Sequence, residues 1–157
     1  ILVSAGNPSL TIALAHPDKR FPDYAYLHHL FQREARKVLY PEVVTMGSAY
    51  SIFRDGKNNF QAVEREKSSL LYWGDKNIRE GVTDMMAIGR QSFADPFLPK
   101  KLREGRFDEI NWCTLCDTCM ELLIRQQNAG CVVYEKEYAE ILRETRAKFG
   151  VLKFKHT

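Results

Sequence analysis

The stretch that decides the fold reads Thr83-Asp84-Met85-Met86-Ala87-Ile88-Gly89-Arg90-Gln91-Ser92-Phe93-Ala94-Asp95-Pro96. The mostly apolar run over residues 84–88 predicts a short strand, which Gly89-Arg90 ends. Asp95-Pro96 predicts the start of a helix that ends at Gly105, because Asp favours the N-cap and Pro fits the first helical turn. The stretch is therefore one strand–turn–helix unit.

The same order of elements recurs on the N-terminal side of this stretch. Apolar residues at helical spacing predict helices, and short apolar or β-branched runs predict strands. The predicted elements are a strand over residues 1–4, a helix over 27–39 with Leu27, Leu30 and Phe31 on its apolar face, a strand over 43–46, a helix over 59–73 that Gly74 ends, and a shorter helix from Asp75 to near Gly81. Consecutive strand–helix units form a parallel sheet, so we predict an α/β fold.

Small or cationic residues follow two of the predicted strands. Gly47 and Ser48 come after one strand, and Gly89 and Arg90 after the next. In parallel α/β folds ligands bind at the carboxyl ends of strands, where glycine lets backbone N–H groups approach an anion and Arg adds a forked cation. Simple strand termination also explains each glycine, and a surface salt bridge also explains Arg90. The order of the two pairs favours a phosphate site.

The four cysteines of the chain, Cys113, Cys116, Cys119 and Cys131, have the spacing C-x2-C-x2-C-x11-C. Such spacing is typical of an iron–sulfur cluster or a tetrahedral zinc site, and from spacing alone the two are nearly even. Inert thiols or two disulfides are the alternatives.

Thr118 and Glu121 match a capping box, which predicts a helix that begins beside Cys119 and runs to about Gln127. We expect the residues Trp112, Leu115, Met120 and Leu123 to wall the cysteine site. A helix of that length separates its ends by about 15 Å. Either the helix is shorter, or the chain folds back to bring Cys131 to the other thiols.

Composition excludes several functional classes. A net charge of +3 over 157 residues is too small to indicate nucleic-acid binding. No apolar run is long enough to predict a membrane-spanning helix, and no secretory leader is recognisable at Ile1. Together with thiols that suit a reducing compartment, this leads us to expect a cytoplasmic protein that binds neither nucleic acid nor membranes.

The chain resembles the old yellow enzyme family. Residues 83–96, their continuation Phe97 to Arg106 and the cysteine motif that follows resemble the last barrel strand of the family. The branch with 2,4-dienoyl-CoA reductase and trimethylamine dehydrogenase carries such a cysteine motif. The stretches Val3-Ser4-Ala5-Gly6 and Val44-Thr45-Met46-Gly47-Ser48 are similar to the sixth and seventh strand ends of the family.

The resemblance implies the C-terminal part, about strands 6–8, of a TIM (β/α)8 barrel, followed by a Cys-rich helical segment. Residues 1–106 would be the last three βα units, 107–134 the cysteine segment, and 135–157 a C-terminal helix and tail. It also implies FMN, with its phosphate at Gly47, Ser48, Gly89 and Arg90, and a [4Fe–4S] cluster on the four cysteines.

The function implied is that of an NAD(P)H:flavin oxidoreductase acting on a small molecule such as an activated alkene. The catalytic strands would lie upstream, so we expect a fragment that is inactive alone and self-associates through open barrel edges. The alternative is a non-enzymatic iron–sulfur or zinc module whose half-barrel assembles with another chain.

Overall fold

The computed structural model describes residues 1–4, 23–56 and 69–152. They form two compact units, the first ending at Gly89 and the second beginning at Arg90. The predicted division at residue 106 rests on the family resemblance and stays a prediction. In the described part of the chain, no helix has both the length and the apolar character that crossing a membrane requires.

The first unit is built on a small parallel sheet. Strands β1 (Leu2–Val3), β2 (Met46–Gly47) and β3 (Met85–Met86) lie side by side in chain order. Leu2 pairs with Met46, and Met46 pairs with Met85. The prediction of an α/β fold with a parallel sheet is confirmed, although each strand is shorter than predicted. The barrel stays a prediction.

Helix α1 spans Asp23–Val38, so it begins four residues before the predicted start. The predicted buried face is wrong: Leu27, Leu30 and Phe31 are exposed, whereas the buried side chains are His28, His29 and Gln32. Two of these residues, His28 and Gln32, contact Ser48 through polar atoms that apolar side chains lack, whereas His29 packs among aromatic rings. Gln32 Nε2 donates to the Ser48 carbonyl at 3.2 Å, at the end of β2.

Helix α2 spans Leu70–Arg79 and begins at a Ser69 cap, whose hydroxyl accepts from the Tyr72 amide at 3.0 Å. The predicted start near residue 59 lies outside the described residues. Gly74 does not end this helix, so that prediction is wrong. A Cβ at Gly74 would lie 2.6 Å from the Met86 sulfur, so the glycine serves close packing of α2 on β3.

The core of the first unit contains a chain of buried polar groups. Asn77 Nδ2 donates to the Tyr50 hydroxyl at 3.0 Å, and that hydroxyl donates to Gln32 Oε1 at 3.3 Å. Tyr50 opens a 3₁₀ turn, Tyr50–Ile52, just after β2. The chain joins α2, this turn and α1 beneath the carboxyl end of the sheet, where an unpaired polar group would be costly.

The second unit is helical. It contains α3 (Arg90–Ala94), α4 (Leu98–Arg103), a 3₁₀ turn (Phe107–Glu109), α5 (Thr118–Ile124) and α6 (Lys136–Phe149). The helix predicted from Asp95 begins later, at Leu98. Asp95 is buried and accepts from the Phe97 amide at 3.1 Å, the Asn111 amide at 2.9 Å and Lys101 Nζ at 2.6 Å. It therefore fixes the loop that precedes the cysteines.

The predicted capping box at the start of α5 is wrong. Asp117 is the N-cap residue, Thr118 is already helical, and no side chain caps the helix. Glu121 is instead buried and accepts from Arg146 Nη2 on α6 at 2.6 Å and from the Leu152 amide at 3.1 Å. Glu121 therefore pairs with Arg146, 25 residues along the chain, in place of the predicted capping hydrogen bond.

Candidate metal centre

The four cysteines of the second unit line one small cavity. All four are free thiols, so the disulfide alternative is not realised in this structure. Cys113 and Cys119 are buried, Cys131 is partly buried and Cys116 is exposed. Arg90, Phe93 and Val132 complete the wall together with Thr114, Asp117 and Thr118. The predicted wall is wrong, because the cavity is not lined by Trp112, Leu115, Met120 or Leu123; Leu115 is buried and Leu123 is half exposed.

The start of the cysteine loop is fixed by Gln91, which is fully buried on α3. Its Oε1 accepts from the Cys113 amide at 2.9 Å, and its Nε2 donates to the Asn111 carbonyl at 2.9 Å. Both groups of one amide side chain are therefore used to hold the backbone on either side of Trp112. A rigid helix thereby sets the position of the first thiol.

The loop itself has an unusual backbone. Leu115 and Asp117 both have left-handed φ values, 55° and 62°, a region that costs most residues about 1 kcal/mol or more. The Leu115 amide donates to Cys113 Sγ at 3.4 Å, and Cys116 Sγ lies 3.0 Å from the Thr118 hydroxyl. Hydrogen bonds to sulfur favour the thiolate form of a cysteine, and in iron–sulfur proteins they tune the reduction potential of the cluster.

Cys131 returns to the cavity because α5 is short. The helix ends at Ile124 and Gln126 is left-handed, while the amides of Gln126 and Gln127 donate to the carbonyls of Leu123 and Leu122. This is a Schellman stop, reached before the predicted end.

Glycine at position 130 then brings the segment close to α6. A Cβ at Gly130 would lie 2.2 Å from the Tyr138 ring. Because only glycine fits against this ring, the segment before Cys131 can pack on α6. Cys131 thus reaches the other thiols in both of the ways considered above: the helix is shorter than predicted, and the chain after it folds back.

Arg90 and Asp117 form an ion pair at this cavity. Arg90 Nη1 donates to Asp117 Oδ1 at 2.7 Å, and the two side chains are 12% and 19% exposed. Asp117 is the one charged residue between Cys113 and Cys119 in the sequence. The predicted anion-binding arginine thus lies against the cysteines.

The thiol pKa values reflect burial first. Burial raises the pKa of Cys113, and it raises that of Cys119 to about 11; the nearby Arg90 charge opposes both shifts. Burial would also raise the pKa of Cys116, but its hydrogen bond with Thr118 prevails and the pKa is lowered. A bound cation would have to displace protons from the two buried thiols.

The donor set fits a thiophilic metal, because four free sulfurs share one cavity that Phe93 and Val132 shield from water. The free space is about 10 Å³, roughly that of one water molecule. Among the described residues, no three potential ligands are grouped at metal-binding separation. Binding of a metal ion would therefore require the thiols to move closer together.

The other predicted site residues belong to the first unit. Gly47 is the last residue of β2, not the residue after it as predicted, and Ser48 follows the strand; Gly89 comes after β3, the neighbouring strand. A Cβ at Gly47 would lie 2.3 Å from Gln32 Oε1, so glycine is required there by the packing of α1. In the part of the chain that the structure describes, a Cβ at Gly89 would meet nothing within 4 Å.

The Ser48 hydroxyl is already engaged. It donates to the Val3 carbonyl at 2.9 Å and lies 3.1 Å from His28 Nδ1. It thereby ties the ends of β1 and β2 to α1, and any contact of Ser48 with an anion would have to come from its backbone N–H.

Sequence reasoning missed Gln91 and Asp117. A signal for Asp117 existed, because an acid within a thiolate motif is electrostatically unfavourable unless a cation pairs with it. For Gln91 the sequence carried no signal, because its two backbone partners lie about twenty residues away.

Comparison with known proteins gives three informative relatives. A dimethylamine dehydrogenase of Hyphomicrobium is 44% identical over 43 residues, and an NADH oxidase of Thermoanaerobacter brockii is 47% identical over 60 residues. These matches cover 27% and 38% of this chain. A cinnamate reductase of Clostridium sporogenes is 37% identical over 146 residues, 88% of this chain.

The chain spans 6%, 8% and 20% of the lengths of these three relatives, in the same order. All three names denote oxidoreductases. No protein-family model and no solved structure matches the chain.

Proposed function

We propose that this chain is the C-terminal barrel part of an FMN-dependent NAD(P)H:flavin oxidoreductase similar to the old yellow enzyme family, in the branch with the cysteine motif. The observation that carries the proposal is the 37% identity to a cinnamate reductase over 88% of the chain, a length that must include parts of both units. The acceptor class that this relative suggests is an activated alkene, such as an unsaturated acid.

The sheet supports the barrel assignment. Three parallel strands in chain order are what three consecutive barrel units produce. The apolar side chains Leu27, Leu30 and Phe31 on α1 and Ile1 and Leu2 at β1 are exposed. Packing against the rest of a barrel would cover such side chains, and closure would also remove the sheet edges through which we expect the chain to self-associate.

The residues proposed to hold FMN lie at the ends of β2 and β3. Backbone N–H groups at Gly47 and Ser48 would donate to its phosphate, Gly89 would let the phosphate approach, and Arg90 would supply the positive charge. A guanidinium has five N–H donors, so the bond of Arg90 to Asp117 leaves this role chemically open. When bound, FMN supplies the hydride chemistry between nicotinamide and acceptor.

The cysteines Cys113, Cys116, Cys119 and Cys131 would hold the metal centre, for which we propose a [4Fe–4S] cluster that passes single electrons. The protein groups already present would supply its sulfur ligands, an apolar wall and hydrogen bonds to sulfur from Leu115 and Thr118. Zinc on the same thiols belongs to the alternative, a non-enzymatic module.

The test uses the whole protein that contains this chain, with Gly89→Ala and Gly89→Val. Because no described residue lies within 4 Å of a Cβ at Gly89, Gly89→Ala should keep the melting temperature of the wild type, and the melting temperature of Gly89→Val is measured beside it. We expect FMN affinity to fall with side-chain size, by about tenfold or more for valine, which corresponds to roughly 1.4 kcal/mol. NADH-dependent reduction of cinnamate should fall in parallel.

The colour of the purified protein separates the two functions. Yellow flavin absorption together with reduction of an alkene supports the enzyme. Brown cluster absorption or no colour, with no FMN bound after titration, would refute the flavin assignment and leave the metal module.

A further inference from the structure

We propose that Arg90, held in place by Asp117, is a positioning residue of the cysteine site that keeps one positive charge against the thiolates and so raises their affinity for a metal centre. The inference rests on the proposed metal role of the four cysteines and is independent of flavin binding.

The first step is that the backbone of Arg90 is held in a fixed position relative to the cysteine loop. Arg90 opens α3, and the next residue, Gln91, is fully buried and bonded to the Cys113 amide and the Asn111 carbonyl. The backbone of Arg90 is thus anchored to the same loop that carries the thiols. Its side chain lines the cavity together with all four cysteines.

The second step is the restraint on the guanidinium. Asp117 lies between Cys116 and Cys119 and holds Arg90 Nη1 at 2.7 Å. Both side chains are largely shielded from water, at 12% and 19% exposure, so the charges are only weakly screened. The left-handed backbone of Asp117, with a φ of 62°, sets this carboxylate in the loop.

The third step is the sign of each charge. Four thiolates carry more negative charge than a divalent ion neutralises, so a nearby cation stabilises the loaded site. Arg90 supplies this cation, because it lines the cavity together with all four cysteines, and the Asp117 carboxylate beside Cys116 is bonded to it. Without Arg90, the negative charge of Asp117 would disfavour the thiolates. Asp117 favours metal binding only because it holds the guanidinium of Arg90 in place.

The test is a double-mutant cycle, read by Co²⁺ titration of the whole chain after reduction and removal of metal. Thiolate-to-cobalt absorption gives the affinity without any need for enzymatic activity. Arg90→Gln should weaken Co²⁺ binding by about tenfold to 100-fold, as loss of a group supporting metal ligands does. Arg90→Lys should recover most of the affinity, because it keeps the charge.

The decisive arm is Asp117→Asn in two backgrounds. With Arg90 present, the substitution should weaken Co²⁺ binding, because the guanidinium is released. In the Arg90→Gln background it should leave binding unchanged or strengthen it, because it removes a lone negative charge beside the thiolates. A purely structural role of Asp117 would give a loss of the same sign in both backgrounds.

The control is Arg106→Gln in the same unit, whose guanidinium pairs with Glu104 and Glu109 on the surface. It should bind Co²⁺ like the wild type, and circular dichroism should show all variants folded. Equal affinity of Arg90→Gln and wild type, or an equal loss from Asp117→Asn in both backgrounds, would overturn this inference alone. Absence of a thiolate–cobalt band in the wild type would overturn both the inference and the proposed metal role.

Discussion

Protonation of His29 should control the stability of the first unit. The imidazole is 6% exposed, and neither ring nitrogen has a hydrogen-bond partner among the residues that the structure describes. It packs among the rings of Tyr26, Tyr50, Phe53 and Trp73, with centroid distances of 4.8–6.5 Å. Burial first, and then the charges of His28 and Arg33, lower its pKa from 6.5 to about 4.

The magnitude follows from this shift. The unfolded chain takes up a proton on His29 near pH 6.5, whereas the folded protein resists protonation until about pH 4. Stability is therefore complete above pH 6.5 and is lost as the pH falls towards 4, at up to about 1.4 kcal/mol per pH unit and about 3 kcal/mol in total. Asp84 and Asp95, whose pKa values lie below 3.8, lose their contributions only at lower pH.

The assay is urea unfolding at a series of pH values, followed by Trp73 fluorescence in a Trp112→Phe background so that the first unit is observed by itself. His29→Leu should flatten the pH dependence between pH 6.5 and about 4. Leu30→Gln is the matched control, since Leu30 lies on the exposed face of the same helix, and it should keep the wild-type slope. An unchanged slope in His29→Leu would refute the reasoning.

Three further predictions concern the second unit, each measured by urea unfolding with Trp112 as the reporter in a Trp73→Phe background. Gln91→Leu leaves the buried Cys113 amide and the part-buried Asn111 carbonyl without their partner and should cost about 1–3 kcal/mol, chiefly from the amide; a loss below about 1 kcal/mol would contradict the anchoring role of Gln91. Gly130→Ala places a Cβ 2.2 Å from the Tyr138 ring and should cost about 1–3 kcal/mol, and no measurable loss would contradict close packing of this segment on α6. Glu121→Gln weakens a buried contact with Arg146, which is one-third exposed, and should cost about 1–3 kcal/mol, whereas Glu140→Gln, whose partner Arg143 is exposed, should have a smaller effect; equal effects of the two would exclude a special role for Glu121.

The elements that depend on local patterns could be predicted from sequence. The strand at residues 84–88, the helix near 27–39 and the C-terminal helix were each located, although their ends shifted by a few residues. The parallel order of the strands followed from the alternation of strand and helix. The cysteine spacing predicted that the thiols share a site, and the structure places all four around one cavity.

Features that depend on distant partners could not be predicted in this way. Helical spacing pointed to Leu27, Leu30 and Phe31 as the buried face of α1, but the sheet end selects the face that carries Gln32. Glu121 matched a capping box, yet it pairs with Arg146, which is 25 residues away.

By itself, the sequence determined which residues are chemically able to bind a metal or an anion and which segments become helix or strand, because spacing and propensity are local properties. Tertiary structure alone decided that Arg90 meets Asp117, that Gln91 holds Cys113, and that Gly130 lets Cys131 return to the other thiols. These contacts arise from packing between segments far apart in the chain, where shape and the need to satisfy buried polar groups outweigh local preference.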